Sequence, residues 1–498
     1  MGNAFAALKH LILNIFLHHL NFLINEIMIS KIFLLKKSLI FLFYLLTIFT
    51  VDNTFATPKA QQIPLSFSEN IFLKKRALRF DEITHDLQRY KWSLDSDPRL
   101  LIVYCEAILE TEAALPEEMK NSSDVSNKFA QAYLMLLRGK TRDSNLLFDE
   151  LVNTQGGEVF GFVGLLEQSL FTGNITSLGQ VLEKLKSSFS DDSHIPIWIL
   201  PYYEATYNLK MGRYKDVTNI LQMAKINKSL SKYTIEQFEI AIAIPQNQFA
   251  EARKILKHMG SNGDADQNSI LNEADILAAE LGFPASSMFL SRKMREYPEM
   301  WLVKKAFINH SLEAIHFDQK LSIPYLNMLS ELEQKRNFDV NLKLNLASLL
   351  FYTGDPIKGL LSKKLRDEIK PLEDFVNYDL LIAKLSLRST ETEKQFYTMR
   401  YLDIAKEKAP LNISVLWLSY QIAEMNKKYD ECMENLNQIL FVDPFNVDAL
   451  VAKAKTYNKL GEIKEAKNLA HKMLYEKNKR KISIDLRKEL QNVLQETS

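Results

Sequence analysis

The strongest constraint on this chain is a helical pattern that recurs with glycines between its segments. From Leu73 onward the apolar residues return every three or four positions, which is the period of an amphipathic helix. Glycines that end such segments predict left-handed turns between paired helices, and they stand at Gly139, Gly173, Gly212, Gly282, Gly354 and Gly461. With 15 Gly and 14 Pro in 498 residues, tight turns are too scarce for a fold of many β-hairpins. The sequence therefore predicts an all-α chain.

The spacing of these turns predicts a repeat. The interval from Gly139 to Gly173 equals that from Pro410 to Pro444, and it matches the tetratricopeptide period of about 34 residues. Small or otherwise characteristic residues recur where two helices approach closely, and the predicted repeat signature consists of Ala132, Ala205, Ala347, Ala454, Tyr457, Gly461 and Ala466. We predict a tetratricopeptide-type helical-hairpin solenoid in which each pair is stabilised by its neighbours.

The repeats are irregular, which leaves two interpretations of the middle of the chain. The interval from Gly173 to Gly212 is longer than this period, and that from Gly282 to Gly354 is more than twice as long, so either loops are longer there or a degenerate repeat intervenes. The predicted regions are a signal peptide or membrane anchor, a helical cap region, irregular repeats, C-terminal repeats and a basic helix or tail, at 1–57, 58–124, 125–375, 376–478 and 479–498. We expect the basic run at 477–481 to be solvated, with contact to anionic lipid as the alternative.

The first sixty residues carry the localisation signal. Three lysines at 31–37 precede an apolar run at 38–51, and Thr54-Phe55-Ala56 has the small residues of a signal-peptidase site. The run is shorter than the about 20 residues of a membrane span, which favours export or a single anchor. The apolar stretch 5–24 leaves open a pair of membrane helices or a true start at Met28, and a buried soluble helix is a further alternative.

Several longer stretches resemble one family. They are Gly161-Phe162-Val163-Gly164-Leu165-Leu166, Pro196-Ile197-Trp198, Met211-Gly212-Arg213-Tyr214, Ala278-Ala279-Glu280-Leu281-Gly282 and Tyr297-Pro298-Glu299. In order and spacing this middle region is similar to the HemY family of tetratricopeptide membrane proteins, which are associated with haem biosynthesis in bacteria. The resemblance implies a location at the bacterial inner membrane or in the periplasm and a link to late haem synthesis. It implies no catalytic residue.

The sequence contains no recognisable motif of catalytic, metal-ligating or phosphate-binding residues. A net charge of +1 creates no overall field to attract nucleic acid. The histidines show no metal-ligand pair, no GxSxG elbow is present, and Cys105 and Cys432 are too far apart for a CxxC motif. The glycines at 156–164 lack the strand and the lysine of a phosphate loop, so helix packing explains them better. We therefore predict a non-enzyme without metal or cofactor, and free buried thiols at both cysteines.

The predicted function is a scaffold that binds protein partners on the concave surface of the solenoid. In the last two repeats this surface is expected to include Trp417, Gln421, Val451, Lys455 and Asn458. Trp417 and Val451 stand where a clamp for chaperone tails would need Lys and Asn, which argues against such a clamp. The alternative is an envelope protein that binds porphyrin or lipid, without a supporting motif, at the aromatic residues Trp198, Tyr202, Tyr203, Tyr207 and Tyr214. Core packing is the other interpretation of these rings.

Overall fold

The computed structural model describes residues 67–89, 97–111, 124–189, 195–259, 266–315, 318–336, 339–352, 369–387, 392–476 and 480–495. The predicted signal peptide or anchor at 1–57 and the possible start at Met28 lie outside these ranges, as does Gly354. Throughout the ranges the regular structure is helical, and no strand occurs in them. None of the helices in these ranges is both long enough and apolar enough to cross a membrane.

Twenty-three α-helices follow one another along the described ranges, and one 3-10 turn lies at Lys370–Leu372. In chain order the helices are α1 Phe67–Arg76, α2 Phe80–Arg89, α3 Pro98–Thr111, α4 Val125–Leu137, α5 Thr141–Val152, α6 Glu158–Thr172, α7 Ile175–Ser188, α8 Ile199–Lys210, α9 Tyr214–Asn227, α10 Lys232–Ala243, α11 Phe249–Met259, α12 Gln267–Leu281, α13 Phe283–Glu296, α14 Trp301–Ala314, α15 Gln319–Lys335, α16 Val340–Tyr352, α17 Val376–Leu387, α18 Thr392–Lys408, α19 Ile413–Met425, α20 Tyr429–Val442, α21 Val447–Lys459, α22 Ile463–Tyr475 and α23 Ile484–Gln495.

From α4 onward the helices form hairpins that pack on one another in chain order. The first helices of the pairs are α4, α6, α8, α10, α12, α14, α17, α19 and α21; α16 takes the equivalent position between α14 and α17, and these ten helices begin at intervals near or slightly above the tetratricopeptide period. Each helix packs mainly on its neighbours in the sequence, as in a solenoid built from nearest-neighbour contacts. The prediction of an all-α helical-hairpin repeat is confirmed. The long interval after Gly282 contains an additional pair, α14 and α15.

The predicted turn glycines adopt the backbone conformation that the sequence predicts. Five of them have φ between 65° and 89°, namely Gly139, Gly173, Gly212, Gly282 and Gly461. Such positive φ values are accessible to glycine without the steric penalty of a Cβ. Two other turns use Asn247 and Lys427 instead, each with φ 57°. The pairs at those turns therefore carry no glycine signal.

Small residues lie where helices cross. The five signature alanines, at 132, 205, 347, 454 and 466, are fully covered, and Tyr457 packs at the edge of the last apolar cluster. A Cβ on Gly164 would lie 2.1 Å from the Phe148 ring, so α6 approaches α5 at van der Waals distance only because that side chain is absent. Cys105 and Cys432 are free and buried, as predicted.

Distant parts of the repeat also touch, at a nearly constant separation in sequence. Thr176 Oγ1 donates to the Glu407 carbonyl at 2.5 Å, and Arg480 Nε donates to Asn247 Oδ1 at 2.6 Å. Tyr214 donates its hydroxyl to the Val442 carbonyl. These partners are 228 to 233 residues apart, so the turns of early pairs rest on the turns between later pairs. The contacts join the repeats of residues 66–498 into one compact unit.

Candidate functional site

We use the term inner groove for the surface formed by α3 and by the first helices of the pairs. Three parts of this surface differ in what covers them. Along the part from α3 to α12, helix α1 contacts α3 and α10; at α21 the surface is covered by α23; and among the described residues the part on α14 to α19 is open. The open part, which we call the window, is a cavity of about 420 Å³ on α14, α16, α17 and the start of α19.

The window is lined by amides and lysines, and the described residues contribute no carboxylate to it. Its lining consists of Lys305, Asn309, Asn341, Leu344, Asn345, Ser348, Asn377, Leu380, Leu381, Lys384 and Ser414. Asn345 Nδ2 donates to Asn309 Oδ1 at 3.1 Å across two successive repeats. Each asparagine retains further donor and acceptor capacity, because an amide side chain offers both. The window is therefore a polar, positively charged strip.

Lys305 is the most confined cation of the window. Desolvation lowers the pKa of its ammonium group, a smaller effect of Asp339 raises it, and Arg336 lowers it further. Lys305 makes no hydrogen bond or ion pair among the residues that the structure describes. Arg336 is engaged elsewhere, by the Glu110 carboxylate and by the Trp301 ring 3.8 Å below it. An anion in the window would therefore find Lys305 without a hydrogen-bonded partner among the described residues, and Asp339 is the carboxylate that acts on it from a longer distance.

At the C-terminal end the groove residues expected from the sequence are covered. Val451 is only 1% exposed and belongs to an apolar cluster with Leu490 and Val493 of α23. Lys455 Nζ lies 3.1 Å from Oε2 of Glu489, which also belongs to α23. The expectation that Val451 contacts a partner is therefore corrected, because α23 packs over it as a cap. Asn458 is partly buried and, like Val451 and Lys455, lies on α21.

The other two expected groove residues lie on α19. Trp417 is partly buried and packs edge-on against the Tyr420 ring at 5.3 Å. Gln421 is exposed one turn further along the helix. Ser414, at the start of α19, lines the window. The structure thus leaves Gln421 accessible on the helix that closes the window, while Trp417 has a packing role as well.

Arg480, which belongs to the basic run after the last repeat, is not solvated. This residue forms two hydrogen bonds of 2.8 Å with the Asp443 carboxylate, and their side chains are 10% and 15% exposed. The prediction of a solvated end is therefore wrong for Arg480. Its guanidinium links α10–α11, through Asn247, to the turn before α21. Lys477 and Lys479 lie outside the described residues.

The aromatic residues around α8 do not form an open groove. Trp198 is 5% exposed and Tyr203 is fully buried, with the guanidinium of Arg99 4.3 Å above the Trp198 ring. Tyr203 donates its hydroxyl to Glu167 Oε1 at 2.6 Å. Tyr214 belongs to the contact with Val442. Trp198 and Tyr203 therefore belong to the core, whereas Tyr207 is partly buried and lines a cavity beside α7.

The side chains of Ser286, His310 and Asp275 are arranged like a catalytic triad, but the serine cannot act as a nucleophile. Ser286 Oγ lies 2.7 Å from His310 Nδ1, and His310 Nε2 lies 3.8 Å from Asp275 Oδ1. Ser286 is fully buried and also donates to the Ala274 carbonyl, so no substrate can reach its oxygen. Burial lowers the pKa of His310 to about 4. Across the described residues no group of three or more His, Cys, Asp or Glu is arranged to hold a metal ion.

A second, larger cavity of about 770 Å³ lies between α7, α8 and Pro410. Its charges are mixed, and Lys186 there pairs with Glu183 and Glu204 at 3.0 and 2.9 Å. Because these groups neutralise one another, the cavity shows no preference for a ligand of one sign. The window remains the better candidate site.

Two matches among solved structures extend over most of this chain, at low identity and low TM-scores. A monomeric IFIT1 mutant with Gppp-AAAA is 13% identical, with 83% of this chain and 81% of that chain covered and a TM-score of 0.34. The APC/C hetero-tetramer Cut9–Hcn1 is 12% identical, with 87% and 97% covered and a TM-score of 0.35. No protein-family model and no curated protein matches the chain. The resemblance to HemY therefore remains a prediction from the sequence.

The sequence analysis missed the residues of the window, although a signal for them exists. Asn309 and Asn345 are 36 residues apart, and Asn341 and Asn377 are separated by the same interval. An asparagine that recurs at the repeat length falls on the same side of successive first helices. These helices were not recognised as repeats from the sequence, because no glycine marks the turn of the α14–α15 pair.

Proposed function

We propose that this protein is a non-enzymatic scaffold that binds partner proteins through the window. The observation that carries the proposal is the lining that the described residues give the cavity: amide groups repeated on successive helices, two lysines and no carboxylate. The helix pairs hold these side chains on rigid elements, which favours a preformed binding surface. The hairpin repeat provides the extended groove that repeat proteins use for recognition.

The chemistry of the window favours an extended, acidic segment of a partner. Asparagine side chains can donate to peptide carbonyls and accept from peptide amides, so they can bind a backbone without reading its sequence. Lys305 and Lys384 supply two positive charges to the strip, and a carboxylate near them forms charge-assisted hydrogen bonds. Acidic side chains of the partner would thus supply selectivity.

Location and pathway are a finer part of the proposal. The apolar run at 38–51 after three lysines supports export or anchoring at the bacterial inner membrane or in the periplasm. The middle region that resembles HemY supports a link to haem synthesis. N-terminal sequencing of the mature protein together with membrane fractionation tests the location, and a protein that starts at Met1 and stays in the soluble fraction would contradict it.

The binding function can be tested with a defined probe. We expect a fluorescein-labelled octapeptide, half of it Glu, to bind the full chain by fluorescence anisotropy. Lys305→Glu and Lys384→Glu should each weaken binding at least about tenfold, or about 1.4 kcal/mol, because each reverses a charge in the window. Lys464→Glu, at an exposed position of α22, is the matched control and should change the Kd less than about twofold.

Two results would contradict this function. The first is equal binding of the peptide in which every Glu is replaced by Gln, together with no effect of either charge reversal. The second is tighter binding of a single-stranded oligoribonucleotide than of the acidic peptide, because phosphates also interact with lysines. Either result would remove the argument for an acidic protein segment.

A further inference from the structure

In the part of the inner groove from α3 to α12, the chain's own helix α1 contacts α3 and α10. Ile71 of α1 is fully buried and belongs to the main apolar core. Beyond the helix, Leu78 packs against the apolar cluster of α12, α13 and α14. In this part of the groove α1 lies on the first helices, whereas in the window the equivalent surface is open.

The contacts of α1 with the groove are those of a basic ligand in an acidic and aromatic site. Lys75 Nζ lies 2.5 Å from Glu106 Oε2 of α3. The guanidinium of Arg76 lies 3.9 Å from the centre of the Tyr233 ring of α10, a cation–π geometry. Further along the groove lies the partly buried Glu167; desolvation raises its pKa, and the hydrogen bond from Tyr203 and, less strongly, the charge of Lys75 lower it. The cations of α1 therefore face carboxylates and a ring that other basic side chains would also fit.

Helix α1 is held by contacts with the helices around it. Its last turn carries Lys74, Lys75 and Arg76, which interact favourably with the helix dipole. The turn that joins it to α2 places Leu78 at φ 56°, a left-handed conformation that is uncommon for a residue other than glycine. Lys74 also pairs with Asp86 and Glu82 of α2 at 2.5 and 3.3 Å, so α2 and the groove together hold α1 in place.

We propose that the groove from α3 to α12 is a second binding surface, specific for a basic amphipathic helix, and that α1 is an internal ligand which a partner helix of the same chemistry displaces. The pattern to be recognised is an apolar residue followed at the fourth and fifth positions by Lys and Arg, as at Ile71, Lys75 and Arg76. This surface is distinct from the window, where the lining attracts acidic segments. Failure of one site therefore leaves the other unaffected.

A peptide of residues 67–79 supplied in trans tests the proposal. The tethered helix competes at a high effective concentration, so the labelled peptide should bind the wild-type chain weakly. Replacing both groove cations of the tethered helix, Lys75→Ala with Arg76→Ala, should strengthen binding of the wild-type peptide at least about tenfold. Arg79→Ala is the matched control, since Arg79 lies outside α1 and pairs with the exposed Glu82, and it should leave peptide binding unchanged.

Hydrogen exchange of the wild-type chain supplies a second measurement that needs no variant. Excess unlabelled peptide should make the amides of α1 exchange at least about tenfold faster, whereas a peptide with Arg76→Glu should not. The proposal is overturned if bound peptide leaves α1 protected, or if the peptide binds neither the wild-type chain nor the folded double variant. Equal binding to the double variant and the wild-type chain would also overturn it, because α1 would then not compete.

Discussion

The groove from α3 to α12 and the window are built from the same kind of helix pair, yet one is filled and the other is open. In the filled part the groove helices present Glu106, Glu167 and aromatic rings such as Tyr233, and α1 covers them with cations. In the window they present asparagines and lysines around a cavity. The comparison teaches that the repeat fixes the backbone, while the side chains at equivalent positions decide what the groove binds.

The largest expected difference between the two parts is in stability. Ile71→Asp places a carboxylate among fully buried apolar residues and should lower the free energy of unfolding by about 3–5 kcal/mol. Ser348→Asp introduces the same side chain into the window, where lysines face it, and should change stability by less than about 0.5 kcal/mol. Urea unfolding followed by circular dichroism measures both. Equal losses would show that α1 does not fill its groove as described.

A second difference concerns the contacts between distant pairs. Arg480→Met breaks a largely buried pair with Asp443 and leaves that carboxylate unpaired, which should cost about 3 kcal/mol. Lys488→Met is the control, because Lys488 lies 4.0 Å from Asp485 with both side chains mostly exposed, and its effect should stay below about 0.5 kcal/mol. Hydrogen exchange should show the loss near Asn247 and the turn before α21, not in the window. Unchanged melting of Arg480→Met would refute the contact.

The smallest expected effect is a pH dependence confined to the window. Desolvation lowers the pKa of Lys305, so its positive charge is lost at a lower pH than that of an ordinary lysine. Binding of the acidic peptide should therefore weaken as the pH rises toward the ordinary lysine pKa of about 10.4, while Lys305→Arg should keep its affinity because arginine stays charged there. Titrations by anisotropy check this. Parallel pH profiles for the wild-type chain and Lys305→Arg would mean that Lys305 does not contact the peptide.

The helical hairpins could be predicted from the sequence because they depend on local signals. Apolar periodicity marks the helices, and glycines such as Gly139 and Gly461, whose φ values are positive, mark the turns. The pairs that turn through Asn247 and Lys427 lack this signal, so the repeat spacing looked more irregular than it is.

The covering of the groove could not be predicted, because it depends on contacts between residues far apart in sequence. Periodicity places Val451 on the first helix of a pair, but only the packing of α23 makes it core. A basic run in the sequence predicts solvated side chains. Arg480 is instead largely buried, because it pairs with Asp443, which lies 37 residues earlier in the chain. The window has the same origin, since its cavity exists only where neither α1 nor α23 covers the first helices.

Carbodiimide cross-linking of the native chain tests the central claim most directly. The reagent joins lysines and carboxylates that are already in contact, without a spacer. We predict cross-links between Lys75 and Glu106 and between Lys455 and Glu489, the pairs through which α1 and α23 cover the two ends of the groove. We predict none between Lys305 and the described residues that line its cavity, because none of them is a carboxylate. Absence of the Lys75–Glu106 product, with Lys75 joined to acids elsewhere, would contradict a groove that is closed at its ends and open at the window.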